Sequence, residues 1–292
     1  MRNLLFAGVL ILGGCQEDGQ VDPEVEDPAT VTLSLTEFEL PAGGETTKCQ
    51  TFVNPFGGQD VLVQEFSSRM TSPGSHHFLV MTQPAVDADT PAFDCSGFLD
   101  EPVVYGAQQA ESSTRYPDGV AVKIGGDRAL QLQIHFLNAT DHPVMVSGSV
   151  TFVVADASTI TAQAGVLMMV NQDLLIPPGD QPFTDTKSCT MPADLHVLFV
   201  NSHMHKRAIG FSAETNGQVF YETDRWEEPP GRVLEPQLDL AAGQVVKYSC
   251  TWMNDTPDPI EWGLSAATQE MCNMSIRAYP IPDVSTLPFI CY

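Results

Sequence analysis

Seven histidines stand in the chain, and five fall into spacings that suit a metal ion: His76-His77, His135 and His203-Met-His205. In an extended strand, residues two apart share a face, so the imidazoles of His203 and His205 point the same way and can converge on one ion. Adjacent His76 and His77 would point to opposite faces of a regular strand. Both reach one ion only if the backbone is irregular there, and Pro73-Gly74 just upstream supplies a reason for such a start. His135 lies in a run, 130–137, where Leu130, Leu132, Ile134 and Phe136 form an apolar face and Gln131, Gln133 and His135 a polar one. It therefore turns away from its own core, a position that an ordinary surface histidine would fill equally well. His142, between Asn138-Ala-Thr-Asp and Pro143, reads as a turn residue. His196, on the apolar run 195–200, reads as a core residue or one that backs the ligands.

These side chains need strands to carry them. From Val31 onward, short alternating runs (31–35, 130–137, 144–154, 195–200) are punctuated by Pro73-Gly74, Gly125-Gly126, Pro177-Pro178-Gly179 and Pro229-Pro230-Gly231. No segment sustains a helical period, so the chain is expected to be all-β. A length of 292 residues suits two domains. The small polar stretch 155–163 puts the boundary near Ala157. The expectation is two jelly-roll-like antiparallel β-sandwich domains, 31–157 and 158–292, with an interdomain cleft.

With 13 Lys and Arg against 37 Asp and Glu, the net charge is -24. Such a surface repels phosphate, so nucleic acid is excluded as a partner. The first residues carry Arg2, an apolar run 4–12 and then Leu12-Gly-Gly-Cys15, the pattern of a secretion signal ending in a lipobox-like site. The apolar run is too short to span a bilayer. Residues 1–15 are thus expected to be a lipoprotein signal peptide with Cys15 as the lipidation site, and the acidic stretch 16–30 a disordered tether. The chain is expected to be an exported bacterial lipoprotein on the periplasmic or cell-surface face of a membrane, the outer membrane by preference. Six cysteines follow Cys15, an even number with no C-x-x-C pair, which favours three disulfides over a thiolate metal site.

Taken together, the motifs resemble those of the copper type II, ascorbate-dependent monooxygenases, over 49–291. Ser75-His-His-Phe-Leu resembles the family's His-His motif, Leu132-Gln-Ile-His the strand of its third histidine, and His203-Met-His its His-x-His. Glu270-Met-Cys-Asn resembles the segment of its methionine ligand, and Tyr116-Pro-Asp-Gly-Val and Ile176-Pro-Pro-Gly also fit. The resemblance implies two coppers per chain, one on His76, His77 and His135, the other on His203, His205 and Met271. Met271 read alone would be an ordinary core methionine. A thioether is soft and favours Cu(I), so the His-His-Met set suits O2 and the three-imidazole set suits electron supply. Gln133, on the face of His135, could orient a water or a substrate group.

The implied reaction is hydroxylation of a C–H bond of a small molecule or peptide, with O2 and with ascorbate or another one-electron donor. The implied disulfides are Cys49–Cys95, Cys189–Cys291 and Cys250–Cys272. Cys189–Cys291 would close roughly 100 residues, a loop for which chain entropy gives about 4–5 kcal/mol as an upper value. Departures from the pattern are equally informative. Peptide-amidating members clamp a substrate carboxylate with an arginine where Asn201 stands and a tyrosine where Ser275 stands; Asn273 alone matches. A glycine-extended peptide is therefore not the expected substrate. A surface copper-binding or electron-transfer lipoprotein without turnover is the alternative, and a structural sandwich with relic histidines a third reading.

Overall fold

A computed structural model describes residues 29–95 and 101–281 and the backbone of 290–291. The signal, Cys15 and most of the tether lie outside the described residues. The described chain is all-β: one 3-10 turn, Ala157–Thr159, interrupts a succession of strands, and no helix is long and apolar enough to cross a membrane.

Period-two alternation explains the layering. In Arg128–Leu137, the side chains of Leu130, Leu132, Ile134 and Phe136 are fully buried in one core, while Gln133 and His135 face the other way. This strand is central in a five-stranded antiparallel sheet ordered Phe93–Asp94, Glu45–Phe52, Arg128–Leu137, His77–Pro84, Val103–Ala107. Its apolar face packs on Thr30–Ser34, Gly148–Val154, Val61–Met70 and Val120–Ile124, forming a core from Leu33 to Ala164. A second core, from Leu167 to Ile281, lies between two further layers. One comprises Ala162–Val170, Cys272–Tyr279, Leu195–Met204 and Arg232–Leu240. The other comprises Phe183–Thr190, Val245–Trp252, Ala208–Thr215 and Gln218–Thr223.

The halves are joined through Ala162–Val170. Its first residues pair in parallel with Val120–Ile124 and its last with Cys272–Tyr279, so one ten-stranded sheet runs through both halves. Alternation along this strand serves two cores. Leu167 and Met169 enter the second core, while Met168 and Val170 turn to Leu79, Met81 and Val103 of the five-stranded sheet. That small apolar cluster presses the outer face of the five-stranded sheet against the second half.

Cys49–Cys95, with Cα atoms 5.8 Å apart, ties Glu45–Phe52 to the segment after Phe93–Asp94. Cys250–Cys272, at 5.9 Å, crosses the second core. Both match the implied pairing. Cys189 is also disulfide-bonded. The backbone of Ile290–Cys291 runs parallel to Met168 and Met169, but the Cys291 side chain lies outside the described residues.

Candidate metal centre

His76 and His77 enter the site from the first half. Gly74, at φ +124°, turns the chain, His76 donates its backbone N–H to the His135 carbonyl at 2.8 Å, and His77 opens the His77–Pro84 strand opposite His135. The backbone irregularity expected upstream is present, and it lets both imidazoles approach His135, with ring centroids at 5.4 and 5.1 Å. His203 and His205 come from the end of Leu195–Met204. His203 pairs with Asn273 and Met204 with Cys272; one step further along this register sets His205 opposite Met271. Met271 is buried, and its sulfur accepts from Asn273 Nδ2 at 3.3 Å.

Expected as two separate sites, the histidine sets form one cluster at the junction of the halves. His76 is 5.0 Å from His203 between ring centroids, and His77 is 4.7 Å from His203. The reason is the packing of the halves, which sets the start of one histidine-bearing strand against the end of another. Two triads have ring nitrogens within 4.8 Å of one another: His76, His77, His135 and His76, His203, His205.

Hydrogen bonding decides which nitrogens remain for a ligand. Gln108, from the first half, accepts from His203 Nδ1 at 2.6 Å and donates to the Ser202 carbonyl. The Gln269 carbonyl accepts from His205 Nδ1 at 3.1 Å, and the Glu227 carbonyl accepts from His76. His135 Nε2 meets Glu45 Oε1 at 2.9 Å. Left without partners are the buried atoms His76 Nε2, His77 Nδ1, His203 Nε2 and His205 Nε2. An imidazole pinned through one nitrogen with the other aimed into a shared space is the arrangement a bound metal requires. The donors fit copper: imidazoles, with a thioether within one strand register.

Electrostatics point the same way. Burial, and then the neighbouring imidazoles, hold His76, His77 and His203 well below the usual histidine range; burial takes His205 down to about 4. Neutral imidazoles are the form that binds metal. Burial tends to raise Glu45, but hydrogen bonds from His135 and the Ala266 N–H, with Ser265 adding another, hold it at about 2. Glu45 thus ties His135 to the second half. Burial pushes Glu270 up to about 7, although the N–H groups of His205 and Arg207 and the Trp252 indole all donate to it. Through these bonds Glu270 fixes the backbone on both sides of Lys206.

Beside His77 and His203 the cleft narrows to a cavity of about 40 Å³ walled by both halves. Asn201 and Ser275, in the two clamp positions, hydrogen-bond to each other along its wall, where Asn273 and Arg277 also stand.

The remaining expected residues lie elsewhere. Gln133 is buried, with its amide against the Cys49 and Cys95 sulfurs at 3.6 and 3.8 Å, beyond the walls of this cavity. His142 is an exposed turn residue bonded to Asp141. His196 is neither core nor support for the ligands. Its side chain is 42% exposed and bonded to cross-strand Asp239 at 2.6 Å. It alternates with buried Leu195 and Val197 and so faces outward, and the surface strand Arg232–Leu240 supplies its partner. Sequence reasoning missed Gln108, Glu45 and Arg277. For the first two no sequence signal existed, because each is remote from every motif. Arg277 carried one, as it shares parity with Asn273 and Ser275.

No family model matches this chain. It is similar to peptidyl-glycine alpha-amidating monooxygenase A of Xenopus laevis, 20% identical over 82% of this chain and 27% of that protein. It is similar as well to the rat peptidylglycine alpha-amidating monooxygenase, 21% identical over 82% of this chain and 26% of that protein. Putative DBH-like monooxygenase protein 2 of Homo sapiens is 23% identical over 89% of this chain and 58% of that protein. The chain spans about a quarter of the length of the amidating enzymes. Among solved structures, the glycosylasparaginase PNGase F of Flavobacterium meningosepticum has a TM-score of 0.38 at 8% identity, covering 86% of this chain and 95% of that one. That likeness is too distant to carry an argument. The three sequence relatives carry the name of monooxygenase, and the distant similarity suggests the copper type II group.

Proposed function

We propose that the protein is an exported, lipid-anchored copper monooxygenase that hydroxylates a C–H bond of a small molecule or peptide, using O2 and ascorbate or an equivalent one-electron donor. The observation that carries this reading is the set of four orphaned, buried imidazole nitrogens from two halves of the chain, opening beside a cavity. His76, His77 and His135 would hold one copper, and His203, His205 and Met271 a second. Bound there, copper supplies O2 activation and electron transfer. The chain's own groups do the positioning. Gln108 and the Gln269 carbonyl orient His203 and His205, Glu45 orients His135, and the packed junction excludes bulk water.

A copper-loaded preparation incubated with ascorbate and a panel of small C–H substrates should consume O2 and yield hydroxylated product in equal amounts. Copper binding with no product across the panel would favour the alternative, a surface copper-holding or electron-transfer protein.

A further inference from the structure

The cavity wall carries a cation that no described acid balances. Arg277 is 3% exposed. Its Nη1 donates to the Thr114 hydroxyl and its Nη2 to the Gly106 carbonyl at 2.6 Å. The guanidinium carbon sits 4.1 Å from the Phe199 ring centroid and 5.0 Å from that of Tyr105. None of the ion pairs among the described residues includes it, on a chain with 37 carboxylates to 13 basic side chains. Taking an unpaired charge out of water costs several kcal/mol, and burial accordingly pushes this guanidinium below its usual pKa. A planar fork with five donors, two of them engaged, is matched by a carboxylate.

We infer that Arg277 anchors the anionic group of the ligand, and that the cavity takes a small carboxylate with an apolar body. Leu79, Val103, Val166 and Met168 supply the apolar wall, and His77 and His203 stand on the same cavity. The distance is suitable. Arg277 holds Gly106, and His203 holds Gln108, two residues further along the same segment, which is roughly 7 Å of extended backbone. A short alkyl acid bound at Arg277 would present its chain to the orphaned imidazole nitrogens. The inference rests on the proposed function for what happens to that chain, but not for the binding itself.

Calorimetric titration of the copper-loaded protein with acetate and propionate, and with the neutral amides acetamide and propionamide, tests it. Wild type should bind the acids about tenfold or more tighter than the amides, the range of a charge-assisted hydrogen bond. Arg277→Gln should abolish that preference, and Arg277→Lys should keep part of it. A wild type that binds acid no better than amide, or binds neither, overturns the inference even if Arg277→Gln does not fold. So does an Arg277→Gln variant that retains the preference. Lower thermal stability of that variant with no acid preference in wild type would leave Arg277 as a cross-link between the halves. Acid preference without hydroxylated product would sink the monooxygenase reading and leave the anion site standing.

Discussion

At the scale of single residues, the site is governed by which ring nitrogen each histidine has free. Gln108 is the informative case, because it comes from the half opposite His203. By accepting from Nδ1 it leaves Nε2 for the cluster. Outer hydrogen-bond partners of this kind are worth about 10–100-fold in metal affinity. Gln108→Leu should therefore weaken copper by that factor in a chelator competition, while Gln108→Glu, which still accepts from Nδ1 but loses the bond to the Ser202 carbonyl, should recover part of the loss. Wild-type affinity in the leucine variant would show that the bond orients nothing. Met271 poses a different question, since its thioether is soft and the rest of its set is imidazole. Met271→His keeps a ligand but favours Cu(II). Copper content measured by atomic absorption should persist, while product formation collapses. Unchanged turnover would remove Met271 from the ligand set.

At the scale of elements, the site depends on how strands begin and end. Gly74, at φ +124°, lets the chain swing into His76-His77, and a Cβ added there would lie 2.8 Å from Val146 Cγ1. Gly74→Ala should cost about 1–3 kcal/mol by denaturant unfolding, from backbone strain plus the clash. It should also weaken copper at the His76 set more than a strain-free surface substitution of equal stability cost would; equal losses would show the turn to be structural only. Much of this scale was legible in the sequence. The parity of 130–137 sets His135 off the core, the His-x-His spacing puts His203 and His205 on one face, and Pro73-Gly74 marks the irregular start. Legibility ended where one segment meets another. Glu45 reaches Ser265 and Ala266 of the other half, and Gln108 reaches His203, through packing that no local pattern encodes. For the same reason the two histidine sets were expected as separate sites. His196 was misread because its apolar neighbours suggested burial, whereas alternation with buried Leu195 and Val197 turns it outward.

At the scale of the whole molecule, the two cores are bound together by one continuous sheet, the apolar cluster of Leu79, Met81, Val103, Met168 and Val170, and a histidine cluster drawn from both halves. Such coupling makes unfolding of the two halves one event, so metal bound in either half stabilises the whole. Metal bound only by the native state adds RT ln(1 + [L]/Kd), about 4 kcal/mol when free metal is a thousandfold above Kd. Calorimetry should therefore show one transition for copper-loaded wild type, moving to lower temperature on chelation. Met81→Asp places a charge in the junction cluster of Leu79, Val103, Met168 and Val170, outside both cores and off the wall of the Arg277 cavity. An unpaired buried charge there should loosen docking while sparing both cores, so that the metal-free variant melts in two steps. With each proposed copper held within one half, two transitions should persist in copper, each at a higher temperature than in the metal-free variant. A single transition restored by copper would mean instead that ligands from both halves close on a shared metal, as the triad of His76, His203 and His205 would allow. Metal content measured on the same samples gives the stoichiometry directly: two coppers per chain are expected, and saturation at one would show that the adjoining triads act as a single site.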